Sequence, residues 1–262
     1  MIAVWIGVTA GLSVAMAALW IVQRRTGNAA IVDAGWAGGL GLAAIAAAAF
    51  GDGDPVRRAL VAIAGGVWGV RLGAHLLADR ILGKPEEGRY VALRKAWGAR
   101  TQVGFLLFYQ AQALLAGFLA APFLYAAHDR EPGPGLRDLA AISLWLVALA
   151  GEAVADRQLA AFKADPATKG RVCRRGLWAW SRHPNYFFEW LVWCAFALLA
   201  SGAPGGVVAW GAPAAMLYFI LRVTGIPPTE AQALRSRGDE YRRYQREVSA
   251  FLPLPPRVRS ET

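Results

Sequence analysis

The sequence predicts an all-α, polytopic integral membrane protein with seven transmembrane helices, its N-terminus outside and its C-terminus cytoplasmic. Three observations carry that expectation. Apolar residues run uninterrupted for membrane-crossing lengths: Met1–Val22 has no charged side chain, and Ala29–Phe50 has only Asp33. A helix needs about 20 such residues to cross the hydrocarbon. The basic residues sort strongly by alternate loops, as they do in membrane proteins. The turn-forming residues fall between the apolar runs.

The expected spans are 1–22, 29–50, 59–79, 102–126, 137–156, 186–202 and 206–224. The first does not suit a cleaved signal peptide. It lacks a basic start, and Gln23-Arg24-Arg25 stands where small residues would be needed. Gly51-Asp-Gly-Asp-Pro55 separates spans two and three, and Glu131-Pro-Gly-Pro-Gly135 separates four and five. Ser201-Gly-Ala-Pro-Gly-Gly206 forms an uncharged hairpin between six and seven. The chain reads as one membrane domain, 1–262, with 225–262 a cytoplasmic segment that packs on the side of any cofactor.

Loop charge sets the orientation. The first, third and fifth loops and the tail together hold 22 basic residues, from Arg24 and Arg25 to Arg257 and Arg259. The opposite loops hold Arg57, Arg58, Arg130 and Arg137, which Asp52, Asp54, Asp129, Glu131 and Asp138 more than balance. Only an odd number of spans keeps this asymmetry, and the basic side is cytoplasmic. The same sorting accounts for the net charge of +10 without nucleic acid. Cys173 and Cys194 lack metal-ligand neighbours, so neither a disulfide nor a metal site is expected. The bias to arginine, alanine and glycine suits a GC-rich bacterial genome and hence the inner membrane.

Polar residues at membrane depth are costly and invite a functional reading. Asp33 in span two must be protonated, paired or turned to a wet cavity, unless it merely bonds a neighbouring helix. Arg71, His75 and Asp79 share one face of span three at i, i+4, i+8 spacing, with Trp68 one turn earlier. Glu152 and Asp156 end span five, Asn185 and Glu189 open span six, and Arg222 ends span seven. A cavity open to the cytoplasm explains this set better than a purely structural bundle. Its arginines suit a pyrophosphate and a further phosphate. Neither GxGxxG after a strand nor a Walker sequence occurs, so a soluble Rossmann module is excluded.

The stretch GLWAWSRHPNYFFEW from Gly176 to Trp190 resembles the steroid 5α-reductase family, most closely its bacterial integral-membrane branch. Asn28…Asp33…Trp36, Trp68…Arg71…Arg80 and the tail EYRRYQREVSAFLPL support the likeness. Looser versions of the Arg-His-Pro-Asn-Tyr core occur in sterol reductases and in isoprenylcysteine and phospholipid methyltransferases. The resemblance implies reduction, by NADPH, of a double bond conjugated to the ketone of a steroid-like or other lipid enone. It implies a cofactor set of Arg71, Arg80, Glu152, Asp156, Lys163, Arg171, Asn185, Tyr186, Glu189 and Arg222. Glu152 stands where the steroid enzymes tend to have asparagine.

The family's carboxylate that meets the ketone, in a Gln-Glu pair, falls near Asp33, which Val32 precedes in place of glutamine. The family's tyrosine on span three falls on Trp68. The expected chemistry is therefore a protonated Asp33 donating to the ketone oxygen, with Trp36 or Trp68 shaping the pocket. Arg182 and His183 are expected at the rim. Two rival readings stand beside this one. One is an S-adenosylmethionine-dependent lipid methyltransferase, whose cofactor has no phosphate to occupy the arginines. The other is a non-enzymatic transporter or assembly factor. Oligomeric state is left open.

Overall fold

The structure, a computed structural model, describes residues 1–257; Arg259 of the basic tail lies outside the described residues. Its long elements are all helical. Among the described residues, six stretches are long and apolar enough to cross a membrane: Ile2–Thr26, Ile31–Phe50, Pro55–Arg80, Gly88–Ala127, Leu136–Ala164 and Gly206–Glu247. The expected sixth span is a helix of 17 residues, Pro184–Ala200, and stands outside those six. The chain divides into two compact units, Met1–Leu139 with Phe196–Ala212, and Ala140–Ala195 with Pro213–Thr262.

Unit 1 is built on α1 (Ile2–Thr26), α2 (Ile31–Phe50), α3 (Pro55–Arg80), α4 (Gly88–Trp97), α5 (Thr101–Leu119) and α6 (Ala121–Ala127). The expected fourth span is thus two helices. Pro122, in the first turn of α6, has no N–H to continue α5. Glycines let α2 and α3 touch along their backbones. A Cβ on Gly69 would stand 2.7 Å from the Gly41 Cα, and one on Gly65 would stand 2.3 Å from the Ala44 Cβ. Small residues permit such close packing where no water is present to drive association.

Polar bonds join α1 to α5. The Trp5 and Trp20 indoles donate to the Gly117 and Gln102 carbonyls at 2.8 and 2.9 Å. Gln23 donates to Gln102 at 2.8 Å. At the far end of α3, the Asp54 side chain caps the Val56 and Arg57 amides. Arg57, buried to 3% exposure, pairs with Asp129 at 2.5 Å and Asp138 at 3.2 Å. Two of the acids expected only to balance charge, Asp129 and Asp138, therefore form a buried ion network with Arg57.

Unit 2 holds most of α7 (Leu136–Ala164) and of α8 (Pro184–Ala200), the end of α9 (Gly211–Tyr218), and α10 (Ile226–Glu247). Between α9 and α10 the chain takes a π-helical turn, Phe219–Val223, which carries Arg222. Gly238, at φ 52°, kinks α10. The tail folds back on the Arg-His-Pro-Asn-Tyr stretch. Ser181 donates to the Phe251 carbonyl at 2.8 Å, and the Phe251 ring packs edge-on against Phe187.

Candidate functional site

In unit 1 the polar residues gather where α2 begins. The turn between α1 and α2 is tight because Gly27 takes φ 72°, a left-handed conformation costly for other residues. Asp33 lies in the first turn of α2, and α4 comes down on it. The Tyr90 hydroxyl donates to Asp33 Oδ1 at 2.8 Å, and Arg89 donates to Oδ2. Arg80 approaches Oδ2 at 3.5 Å and Glu87 at 3.6 Å.

This setting differs from the apolar one expected around a protonated Asp33. Both carboxylate oxygens accept hydrogen bonds, and two guanidinium groups stand beside them. The O–H within this group belongs to Tyr90, which is 1% exposed. Trp68 is fully buried, and Trp36 meets it edge-to-face at 6.4 Å. Trp68 also packs on Phe196 at 6.1 Å, so its surroundings are those of a core residue. Arg71 and His75 lie half-buried higher on α3, while Asp79 is exposed.

Unit 2 brings a second group together. Asn185 donates to Asp156 at 3.4 Å, joining the first turn of α8 to α7. Glu189, one turn along α8, accepts from the Trp193 indole at 2.9 Å. Glu152 is buried one turn before Asp156. The Tyr186 hydroxyl pairs with Thr229 at 3.2 Å, and its ring stacks on His183. Lys163, Arg171 and Arg222 are exposed. The carboxylates of α10 take other cations: Arg174 pairs with Glu247, Arg182 with Glu230, and Arg242 with Asp239.

Arg182 and His183 are not at a rim. Arg182 donates to Glu230 at 2.6 Å and to the Gln245 and Val248 carbonyls at 3.0 and 2.5 Å. His183, 3% exposed, reaches the same carboxylate at 3.3 Å. Burial pushes the imidazole below its usual range, and Arg182 already compensates the Glu230 charge. These two residues fasten α10 to the start of α8, so the most distinctive motif of the sequence is partly a structural clasp.

Sequence reasoning missed Tyr90, Arg89 and Glu230. Tyr90 lies in a short helix among charged residues that reads as loop, and its partner is 57 positions away. Glu230 follows Pro227 and Pro228 in the first turns of α10, and nothing local links it to Arg182.

Helices of this length and composition, with charged clusters at their ends, define a multi-pass membrane protein. Residues 19–248 match the family described as "Protein of unknown function (DUF1295)", and the chain belongs to that family, which is related to steroid 5α-reductase-like proteins. No curated protein and no solved structure matches the chain.

Proposed function

We propose that the protein reduces a carbon–carbon double bond conjugated to a ketone, in a steroid-like or other lipid enone, at the expense of NADPH. The proposal extends to seven spans in the bacterial inner membrane, with the cofactor reached from the cytoplasm. One observation carries it most: a tyrosine hydroxyl and an arginine-flanked carboxylate share a 2.8 Å hydrogen bond at the start of a membrane helix. Such a group can stabilise negative charge developing on a ketone oxygen.

The donor set fits the cofactor. Lys163, Arg171 and Arg222 present exposed cationic heads suited to phosphate oxygens. Asp156, Asn185, Tyr186 and Glu189 supply acceptors and an amide suited to ribose hydroxyls and a carboxamide, with Glu152 buried behind them. When bound, NADPH supplies a hydride to the β-carbon of the enone. The chain's own part is to orient and to stabilise. Tyr90 takes the donor role first expected of Asp33: with substrate bound, its single O–H would turn from Asp33 to the ketone oxygen, while Arg89 and Arg80 would keep the carboxylate in place. As negative charge gathers on the ketone oxygen, a hydrogen bond from the phenol strengthens, lowering the barrier by about 3 kcal/mol. Trp36 and Trp68 would shape the apolar wall.

The test is NADPH consumption by the purified protein with a 3-oxo-Δ4 steroid and with shorter lipid enones. Turnover that Asp33→Ala lowers by about 100-fold, with NADPH binding retained, supports the reading. Full turnover in that variant defeats the role of Asp33. S-adenosylmethionine binding without NADPH binding would favour the methyltransferase instead.

A further inference from the structure

Glu86 and Arg94 have no part in the chemistry above, yet they join the same two chain segments that form it. The segment 27–33 carries the α1–α2 turn and Asp33; the segment 86–94 carries Arg89 and Tyr90. They meet twice. At one meeting Tyr90 donates to Asp33 at 2.8 Å. At the other, Glu86 Oε1 accepts the Ala29 amide at 2.8 Å, and Arg94 Nη2 donates to the Gly27 carbonyl at 3.2 Å. Arg94 also holds Glu86 through both carboxylate oxygens, at 2.8 and 3.1 Å.

A third side chain completes the grip, because the Tyr109 hydroxyl donates to the Ala29 carbonyl at 2.8 Å. Three backbone groups of one turn are therefore satisfied by side chains from outside it. A free turn would use water or its own residues, so this arrangement fixes where the turn lies relative to α4. The bidentate Arg–carboxylate geometry gives direction as well as attraction. Glu86 is only 12% exposed, which protects the pair from solvent screening.

We propose that Glu86, with Arg94, is a positioning pair that locks the α1–α2 turn to the start of α4 and so sets the Asp33–Tyr90 hydrogen bond. Its effect on turnover rests on the reductase reading above; its effect on the hydrogen bond does not. Reacting groups displaced by about 1 Å can lose ~100-fold in rate, and Ala29 lies just before the N-cap of α2, whose first turn carries Asp33.

The experiment uses the full chain in lipid nanodiscs with 3-fluorotyrosine placed at position 90, read by fluorine NMR. Asp33→Ala marks the resonance of a phenol that has lost its partner. Glu86→Ala and Arg94→Met should move the resonance toward that position, and Glu86→Gln, which keeps an acceptor for the Ala29 amide, should move it less. Where the wild type turns over, Glu86→Ala should lower kcat by 10- to 100-fold with the KM for NADPH unchanged. The proposal is overturned if Glu86→Ala and Arg94→Met lower the melting temperature but leave the Tyr90 resonance in place. It is overturned equally if none of the three variants yields folded protein, since Glu86 then belongs to the scaffold. A wild type that never reduces an enone defeats the reductase reading, while the resonance still decides this proposal.

Discussion

Replacing Arg182 with alanine gives the sharpest test of how unit 2 is held together. The side chain is 10% exposed and serves three acceptors: Glu230, the Gln245 carbonyl and the Val248 carbonyl. Removing one partner of a buried ion pair costs about 3–5 kcal/mol. The lower end applies here, because Glu230 keeps Gln245 at 2.7 Å, His183 at 3.3 Å and Tyr241 at 3.4 Å. A loss of about 3 kcal/mol corresponds to a fall of roughly 6–12 °C in melting temperature, at about 2–4 °C per kcal/mol for a chain of this size. Cys173 and Cys194 are both buried, so a thiol-reactive fluorogenic dye reports unfolding directly. Arg182→Lys should recover less than half of the loss, since an ammonium cannot reproduce the guanidinium fork. A shift below about 2 °C in Arg182→Ala would refute the view that this motif is a clasp; the scale is that of a surface substitution.

Other outcomes follow from the same geometry. Tyr90→Phe should keep NADPH binding and lower enone turnover by about 100-fold, checked by cofactor titration and steady-state kinetics. Arg171→Ala should weaken NADPH much more than NADH, as removal of a phosphate partner would; equal loss by calorimetry excludes Arg171 from the 2′-phosphate. Gly69→Leu should destabilise strongly, because its Cβ alone would lie 2.9 Å from the Ala37 carbonyl oxygen, and thermal unfolding measures it. Glu86 gives a pH dependence. Burial pushes its carboxyl up, but Arg94 and the Ala29 amide outweigh burial and leave it below the ordinary 4.5. A carboxyl depressed in the folded state stabilises above its ordinary value and loses that contribution as pH falls through the folded one. The melting temperature should therefore fall below about pH 4.5 more steeply in the wild type than in Glu86→Gln.

The span pattern was readable because burial in lipid writes itself locally. Ile31–Phe50 is a helix within two residues of the expected 29–50, since an apolar run and a turn on each side suffice to define it. The break inside the expected fourth span was less visible, although Pro122 stood in the sequence to mark it. The site is legible to the extent that its partners are close along the chain or share a helix face. Glu152 with Asp156 and Asn185 with Glu189 were paired by spacing alone.

What spacing could not supply was the cross-chain partner. Asp33 was expected to be a protonated donor because a lone carboxylate in an apolar run must shed its charge or find a counter-charge. The sequence contained both outcomes, and the choice between them depended on where α4 lies. α4 places Arg89 and Tyr90 on Asp33, so the acid accepts from a guanidinium and a phenol, and the proposed donor to substrate is that phenol. The same shift applies to the Arg-His-Pro-Asn-Tyr stretch. Its distinctiveness suggests chemistry for the whole run, yet Arg182 and His183 hold Glu230, while Asn185 meets Asp156 and Glu189 meets Trp193 and only these two carry the proposed cofactor role. A motif can be distinctive for two reasons at once, and tertiary partners separate them. That separation makes the two halves testable apart: Arg182→Ala should act on melting temperature, and Asn185→Ala on NADPH affinity.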